Sequence, residues 1–172
     1  MTVATEALRA IEPLRGDHDV ETFSCGREAL DRFLKRFALT NQKAGSARTF
    51  VLCRGASRVI GYYSLTVGSV DPDLVPPRVA KGLARHPVPV VLLARLAVDS
   101  TEQRVGIGSE LLQNALLRTL SVADHAGIRA LLVHAKDDAA RDWYVRYEFE
   151  PSPSDPFHLF MLLKDIRALL HH

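Results

Sequence analysis

The residues best suited to do chemistry lie together: Gln103-Arg104-Val105-Gly106-Ile107-Gly108-Ser109, between an apolar stretch and a run of helical period. Two glycines one residue apart let successive backbone N–H groups converge on an anion, and the N-terminus of the following helix adds its positive dipole end. Gln103 and Arg104 add side-chain donors aimed at the same anion. The chemistry such a turn performs is phosphate binding.

Three phosphate cradles share this outline. A Walker loop closes on Gly-Lys-Ser/Thr, which this chain lacks. A dinucleotide fingerprint needs a third glycine, where Leu111 stands. What remains is Gln/Arg-x-x-Gly-x-Gly ahead of a helix, the pyrophosphate loop that holds coenzyme A in acetyltransferases. A strand–turn–helix corner with no ligand has the same spacing.

The elements that position the turn are legible around it. Val88–Val98 reads as a central strand despite Pro89 and Arg95, and Ser109–Ala126 as a helix with Leu111, Leu112, Ala115, Leu116 and Val122 on its buried stripe. Gly127 ends that helix, and Ala130–His134 reads as a short strand buried on both faces. Asp138–Tyr147 suits a second helix, and Phe157–Leu163 a last strand. Upstream, Gly26–Gln42 has the helical repeat Leu30, Phe33, Leu34, Phe37, Ala38. Thr49–Cys53 and Val59–Val67 are rich in β-branched and aromatic residues, with Arg54–Ser57 as a hairpin turn. Prolines 72, 76, 77, 87 and 89 mark a loop with one short helix. Residues 1–22 show no sustained period, although Ile11–Leu14 could start an edge strand. The order is that of one mixed α/β (α+β) domain with a central sheet flanked by helices.

Length and composition agree with this. The 172 residues, 47% apolar and 24% charged, suit one domain with one substantial core and exclude a disordered or collagen-like chain. No apolar run approaches the roughly 20 residues that cross a bilayer. Glu6, Arg9 and Glu12 stand where a signal peptide needs an apolar stretch, so a cytoplasmic protein is expected. Two cysteines, Cys25 and Cys53, cannot make a zinc site unaided and are expected to be reduced, buried thiols. No metal is expected.

The net charge of +2 conceals an asymmetry. Residues 32–98 hold eleven bases and only two acids, Asp71 and Asp73, a surplus of +9 that leaves −7 for the rest. Such a region favours a polyanion or a phosphate-rich cofactor, unless its bases scatter over several faces and pair with the acidic remainder.

Across residues 23–163 the sequence resembles the GNAT superfamily of N-acetyltransferases, and within it the toxins of type II toxin–antitoxin modules. The matching segments are Phe23–Gly26, Leu30–Leu34, Arg48–Phe50, Gly61–Leu65, Leu93–Asp99, Gln103–Gly108, Ala130–Ala135, Trp143–Tyr144 and Phe149–Pro153. The glycine loop indicates the superfamily; the block Leu93–Asp99 with Phe149–Pro153 indicates the toxin branch.

The resemblance implies a single GNAT domain that acetylates the α-amino group of aminoacyl-tRNA from acetyl-CoA and so blocks translation. It also implies a homodimer neutralised by a ribbon-helix-helix antitoxin, with no membrane partner. By position, Leu96, Ala97 and Val98 would pair with the pantetheine arm, and Gln103, Arg104, Val105, Gly106, Ile107, Gly108 and Ser109 would hold the pyrophosphate. Tyr144 matches the catalytic tyrosine, a phenol suited to protonate the departing thiolate. No base stands out. His134 reads as scaffold, and water can accept the proton of an aminoacyl ester's weakly basic amine. Lys35, Arg36, Arg48, Arg78, Lys81, Arg85 and Arg95 are the candidates for tRNA phosphates. Two departures stand out: Glu148 where relatives usually have Gly, and Trp143 for a more usual Phe. Alternatives are an acetyltransferase for a protein or small-molecule amine, and a non-catalytic acyl-CoA or nucleic-acid binding module.

Overall fold

The computed structural model describes residues 7–171. The start of the aperiodic N-terminal stretch, with Glu6, and His172 lie outside the described residues. Seven strands form a mixed sheet in the order β1-β2-β3-β4-β5-β7-β6, and the chain divides into two compact units.

The first unit runs up to Thr66 and resumes over Arg95–Ala115. It holds β1 (Glu12–Pro13), α1 (Glu28–Arg32), a π-turn (Phe33–Phe37), α2 (Ala38–Ala44), β2 (Arg48–Arg54) and most of β3 (Arg58–Val70). Strands β1, β2 and β3 pair antiparallel, and Gly55 at φ 65° makes the β2–β3 turn. Phe23, Leu30, Phe33, Leu34, Val51 and Tyr62 form its core. Burying one such side chain contributes about 1.5–3 kcal/mol. The Tyr62 ring packs edge-on to Phe23, with centroids 5.6 Å apart, and its hydroxyl donates to the Leu30 carbonyl at 2.7 Å, so the polar tip is satisfied inside the core.

The expected helix over Gly26–Gln42 is thus interrupted. The π-turn inserts one residue into the repeat. Ala38 is then fully buried, while Phe37, expected on the stripe, is 50% exposed.

The second unit comprises Val67–Ala94 and the chain from Leu116 onward. It contains the end of β3, α3 (Pro77–Ala80), the start of β4 (Val88–Val98), most of the second half of α4 (Ile107–Ala123), β5 (Ala130–His134), α5 (Asp138–Arg146), β6 (Glu150–Pro151), β7 (His158–Leu162) and α6 (Leu163–Leu170). Strands β4 and β5 run parallel from Val90↔Ala130 to Leu93↔Val133, and β7 pairs antiparallel with both β5 and β6. Val79, Val88, Val90, Leu132, Phe160 and Leu162 pack as its core. Residues 130–133 are buried as expected, but His134 at the strand end is exposed and stacks on His158, ring centroids 4.1 Å apart. Strand β6 and helix α6 were not expected. Among the described residues no helix is long and apolar enough to cross a membrane.

Candidate active site

The glycine turn sits in the first unit, at the junction of β4 and α4. After β4 a single 3-10 turn, Ser100–Glu102, leads into Gln103, and two residues then take left-handed backbone: Arg104 at φ 67° and Gly106 at φ 89°. Glycine adopts that conformation freely, whereas Arg104 does so at a cost of roughly 1–2 kcal/mol. The first bond inside α4 is Glu110 N–H to the Gly106 carbonyl at 3.1 Å. The first amides of an α-helix have no i−4 carbonyl inside it and point out of its N-terminus. Arg104, Val105 and Gly106 are exposed, Ile107 is buried, and Gly108 and Ser109 are half-buried. A solvent-facing loop anchored by one buried isoleucine is what an anion cradle requires.

Two further groups hold that loop, and neither was singled out from sequence. A Cβ on Gly61 of β3 would lie 2.9 Å from a methyl of Leu111, 3.4 Å from Ile107 and 3.5 Å from the Ala97 carbonyl, so its bare Cα is what lets the first turn of α4 seat on the strand. Asp99 is buried, and its carboxylate accepts from Ser24 N–H at 3.0 Å, Thr101 N–H at 3.0 Å and the Thr101 hydroxyl at 2.7 Å. Desolvation pushes this carboxyl up, but the hydrogen bonds outweigh it and hold it below the ordinary aspartate value.

Among the described residues, the end of β4 has no partner strand on its β5 side. Strand β5 ends at His134 and its pairing with β4 stops at Leu93, while β4 continues to Val98. Asp99 N–H donates to the Ile60 carbonyl on β3 at 2.8 Å. By alternation the backbone groups of Leu96 and Val98 then face the other way, and those of Ala97 face β3. The Val98 carbonyl accepts from Gln103 Nε2 at 2.9 Å, and the same nitrogen donates to the Cys25 carbonyl at 3.2 Å. The Gln103 side chain therefore braces the loop against the strand through the nitrogen expected to reach phosphate. Leu96 and Val98 are half-buried, and Ala97 belongs to the core.

Tyr144 lies in the second unit on α5, which Asp137 caps by accepting from Ala140 N–H at 2.9 Å. The helix ends in a Schellman motif. Phe149 N–H donates to the Tyr144 carbonyl at 3.3 Å and Glu148 N–H to the Val145 carbonyl at 2.9 Å, with Glu148 left-handed at φ 71°. Glycine adopts that conformation without the steric cost that a side chain brings. The Tyr144 ring is buried against Trp143 and Phe149, edge-on at 5.0 and 5.3 Å. Burial drives its phenol far above the ordinary tyrosine value, so at neutral pH it is a proton donor. The Trp143 ring also meets Tyr147, edge-on at 4.9 Å.

The expected cationic residues fall into different settings. Lys35 and Arg36 are exposed and border an open cleft with Arg32, Glu28 and Asp31, and Arg48 is exposed at the start of β2. The Arg95 guanidinium stacks 3.7 Å over the Phe33 ring. Arg78 is held by both Glu150 and Asp165, and Arg85 by Asp73 at 3.3 Å; Lys81 and Arg78 share a second cleft.

Neither cysteine is set up as a nucleophile: burial pushes both thiols up to about 11. Cys53 lies near Glu12 and His18, a grouping of metal-ligand types. There His18 Nδ1 accepts from Arg15 N–H at 2.8 Å, which leaves the proton on Nε2 for Glu12 at 2.7 Å. Both ring nitrogens are thus occupied by a structural contact between β1 and the following turn.

Known proteins carry the same architecture. The model of the acetyltransferase (GNAT) family matches residues 11–149. A tRNA-acetylating toxin of Mycobacterium tuberculosis (strain ATCC 25618 / H37Rv) is 50% identical over 152 residues, 88% of this chain and 90% of that protein. The toxin AtaT complexed with acetyl-methionyl-tRNAfMet superposes with a TM-score of 0.88 at 30% identity, over 95% of this chain and 99% of that one. A tyrosine-to-phenylalanine mutant of AtaT, bound to the C-terminus of the antitoxin AtaR and acetyl-CoA, gives 0.81 at 29% identity, over 96% and 99%. With a strand running into a left-handed glycine turn that opens a helix, and with that match across most of its length, this chain belongs to the GNAT family of acetyltransferases.

Proposed function

We infer that this chain transfers the acetyl group of acetyl-CoA to the α-amino group of an aminoacyl-tRNA and so acts as a toxin that arrests translation. The observation that carries the reading is 50% identity to a tRNA-acetylating toxin over 88% of the chain. Residues 1–172 act as one acetyltransferase domain.

The cosubstrate fits the residues present. At Gly106 the left-handed backbone has nothing within 4 Å of where a Cβ would stand, so the turn lies open to a pyrophosphate. Arg104, Val105, Gly106, Ile107, Gly108 and Ser109 hold it by backbone N–H groups, with the Arg104 guanidinium as a charged donor and the Gln103 amide as brace. The edge at Leu96 and the N–H of Val98 takes the pantetheine amides as an added strand, while the Val98 carbonyl is held by Gln103 and Ala97 anchors that edge to the core.

When bound, acetyl-CoA supplies an activated thioester. The neutral α-amine forms the new N–C bond, the C–S bond breaks, and Tyr144 gives its proton to the leaving sulfur. Water takes the proton released by the amine. A phenol held protonated by burial, with no hydrogen-bond partner among the described residues, suits that role. The basic residues serve tRNA phosphates.

The chain forms a homodimer in the cytoplasm and is neutralised by a ribbon-helix-helix antitoxin; the AtaT–AtaR complexes support an antitoxin partner. Transfer of radiolabelled acetyl groups to a charged tRNA pool tests the activity. Label on the aminoacyl end is expected. Label on a protein or free amine alone would replace this reading with another acetyltransferase activity.

A further inference from the structure

We propose that a basic cleft in the second unit, centred on Arg129, Lys164 and Arg167, binds the phosphodiester backbone of nucleic acid. The proposal rests on the reading that the substrate is a tRNA, and names a surface that would hold it.

The cleft has a volume of about 360 Å³ and is lined by five cations and no acid: Arg78, Lys81, Arg129, Lys164 and Arg167. Folding collects them from three separate stretches of sequence, two of which belong to the acidic remainder of the chain. Arg78 alone is neutralised, by Glu150 and Asp165. Lys81, Lys164 and Arg167 make no ion pair among the described residues, so even with both carboxylates counted the site carries a surplus of +3.

Arg129 makes that surplus permanent. Its Nε donates to the Val79 carbonyl at 2.7 Å and one terminal nitrogen to the Lys81 carbonyl at 3.0 Å. Its backbone is clamped as well, N–H to the Pro89 carbonyl at 2.8 Å and carbonyl from Leu163 N–H at 3.3 Å. The half-buried guanidinium is thus held by two hydrogen bonds on a backbone held by two more, and no carboxylate among the described residues pairs with it. Like charges crowded around a fixed cation are relieved by an anion with several oxygens, and phosphate accepts forked Arg and Lys donors together.

The test is binding of tRNA to the wild type and to the double variant Lys164→Glu, Arg167→Glu across a salt series, with melting temperatures as the fold control. Both side chains are exposed, so the fold tolerates the change. Affinity should fall about tenfold or more, and the slope of log affinity against log salt should become shallower by about 1.5, as expected for two lost phosphate contacts. Wild-type affinity and slope in the variant would overturn the proposal. Polyglutamate that binds the wild type as tightly as tRNA, and is lost in the variant, would overturn it in favour of an acidic peptide. Acetyl transfer is followed in parallel. Binding that depends on these residues without any transfer keeps the cleft and refutes the activity; transfer with binding that ignores them does the reverse.

Discussion

Phe149 closes on Tyr144 twice: its ring meets the Tyr144 ring edge-on with centroids 5.3 Å apart, and its amide donates to the Tyr144 carbonyl at 3.3 Å. The helix stop and the placement of the Tyr144 phenol are therefore one structure. Whatever disturbs the stop moves the ring, and the ring in turn supplies the apolar contact that completes the stop.

Replacing Tyr144 with Phe keeps the ring and its contact with Phe149 but removes the proton. Turnover should fall by a factor on the order of 10²–10⁴, the usual contribution of a general acid, with acetyl-CoA affinity nearly unchanged. Steady-state rates with calorimetry check this, and wild-type turnover in the variant would remove the proposed acid.

Glu148 holds a left-handed backbone between the two rings, at φ 71°. Glu148→Gly should raise stability by roughly 0.5–1 kcal/mol, while Glu148→Val should lower it by about 1–2 kcal/mol. Urea unfolding measures both. Two variants indistinguishable from the wild type would mean that no strain resides there.

The glycines of the loop and of the strand beneath it act differently. Gly106→Val places a β-branched residue at φ 89° and should weaken acetyl-CoA binding by altering the cradle. Gly61→Val drives side-chain atoms into Leu111 and Ile107 and should destabilise the fold by about 1–3 kcal/mol. Calorimetry on the first and thermal unfolding on the second separate the two effects; unaltered cofactor affinity in Gly106→Val would sink the placement of the cradle.

Asp99 predicts a pH dependence. Its folded carboxyl lies below the ordinary value of 3.8, because hydrogen bonds from Ser24 and Thr101 outweigh desolvation. It therefore stabilises the fold above that value, and the contribution is lost as pH falls through the depressed folded value. Asp99→Asn should cost roughly 1–3 kcal/mol at neutral pH and flatten the loss of stability below pH of about 4. An equally steep acid limb in the variant would assign the dependence to other carboxylates.

Much of this was legible in the sequence where one signal dominated. The glycine turn announced itself because Gly106 and Gly108 stand between an apolar strand and a periodic helix. Glu148 reads as a departure from the family pattern, and it stands at a positive φ that favours glycine. Other features lacked a local signal. Helix α6 follows β7 without a break, so the apolar run Phe157–Leu163 conceals where extended backbone gives way to helix. The π-turn at Phe33–Phe37 leaves the helical repeat nearly intact while rotating Phe37 outward. The roles of Gly61, Asp99 and Arg129 depend on partners distant in sequence, as does the engagement of Gln103 by Cys25 and Val98. No spacing reveals such partners before the chain is folded.

The most direct test of the central claim is a mass-spectrometric inventory of all tRNAs from cells after brief induction of this protein. Acetylated aminoacyl ends on one or a few tRNA species, absent after induction of the Tyr144→Phe variant, are the predicted result. Arrested growth with every aminoacyl end unmodified would contradict the account and direct the search to a protein or metabolite amine.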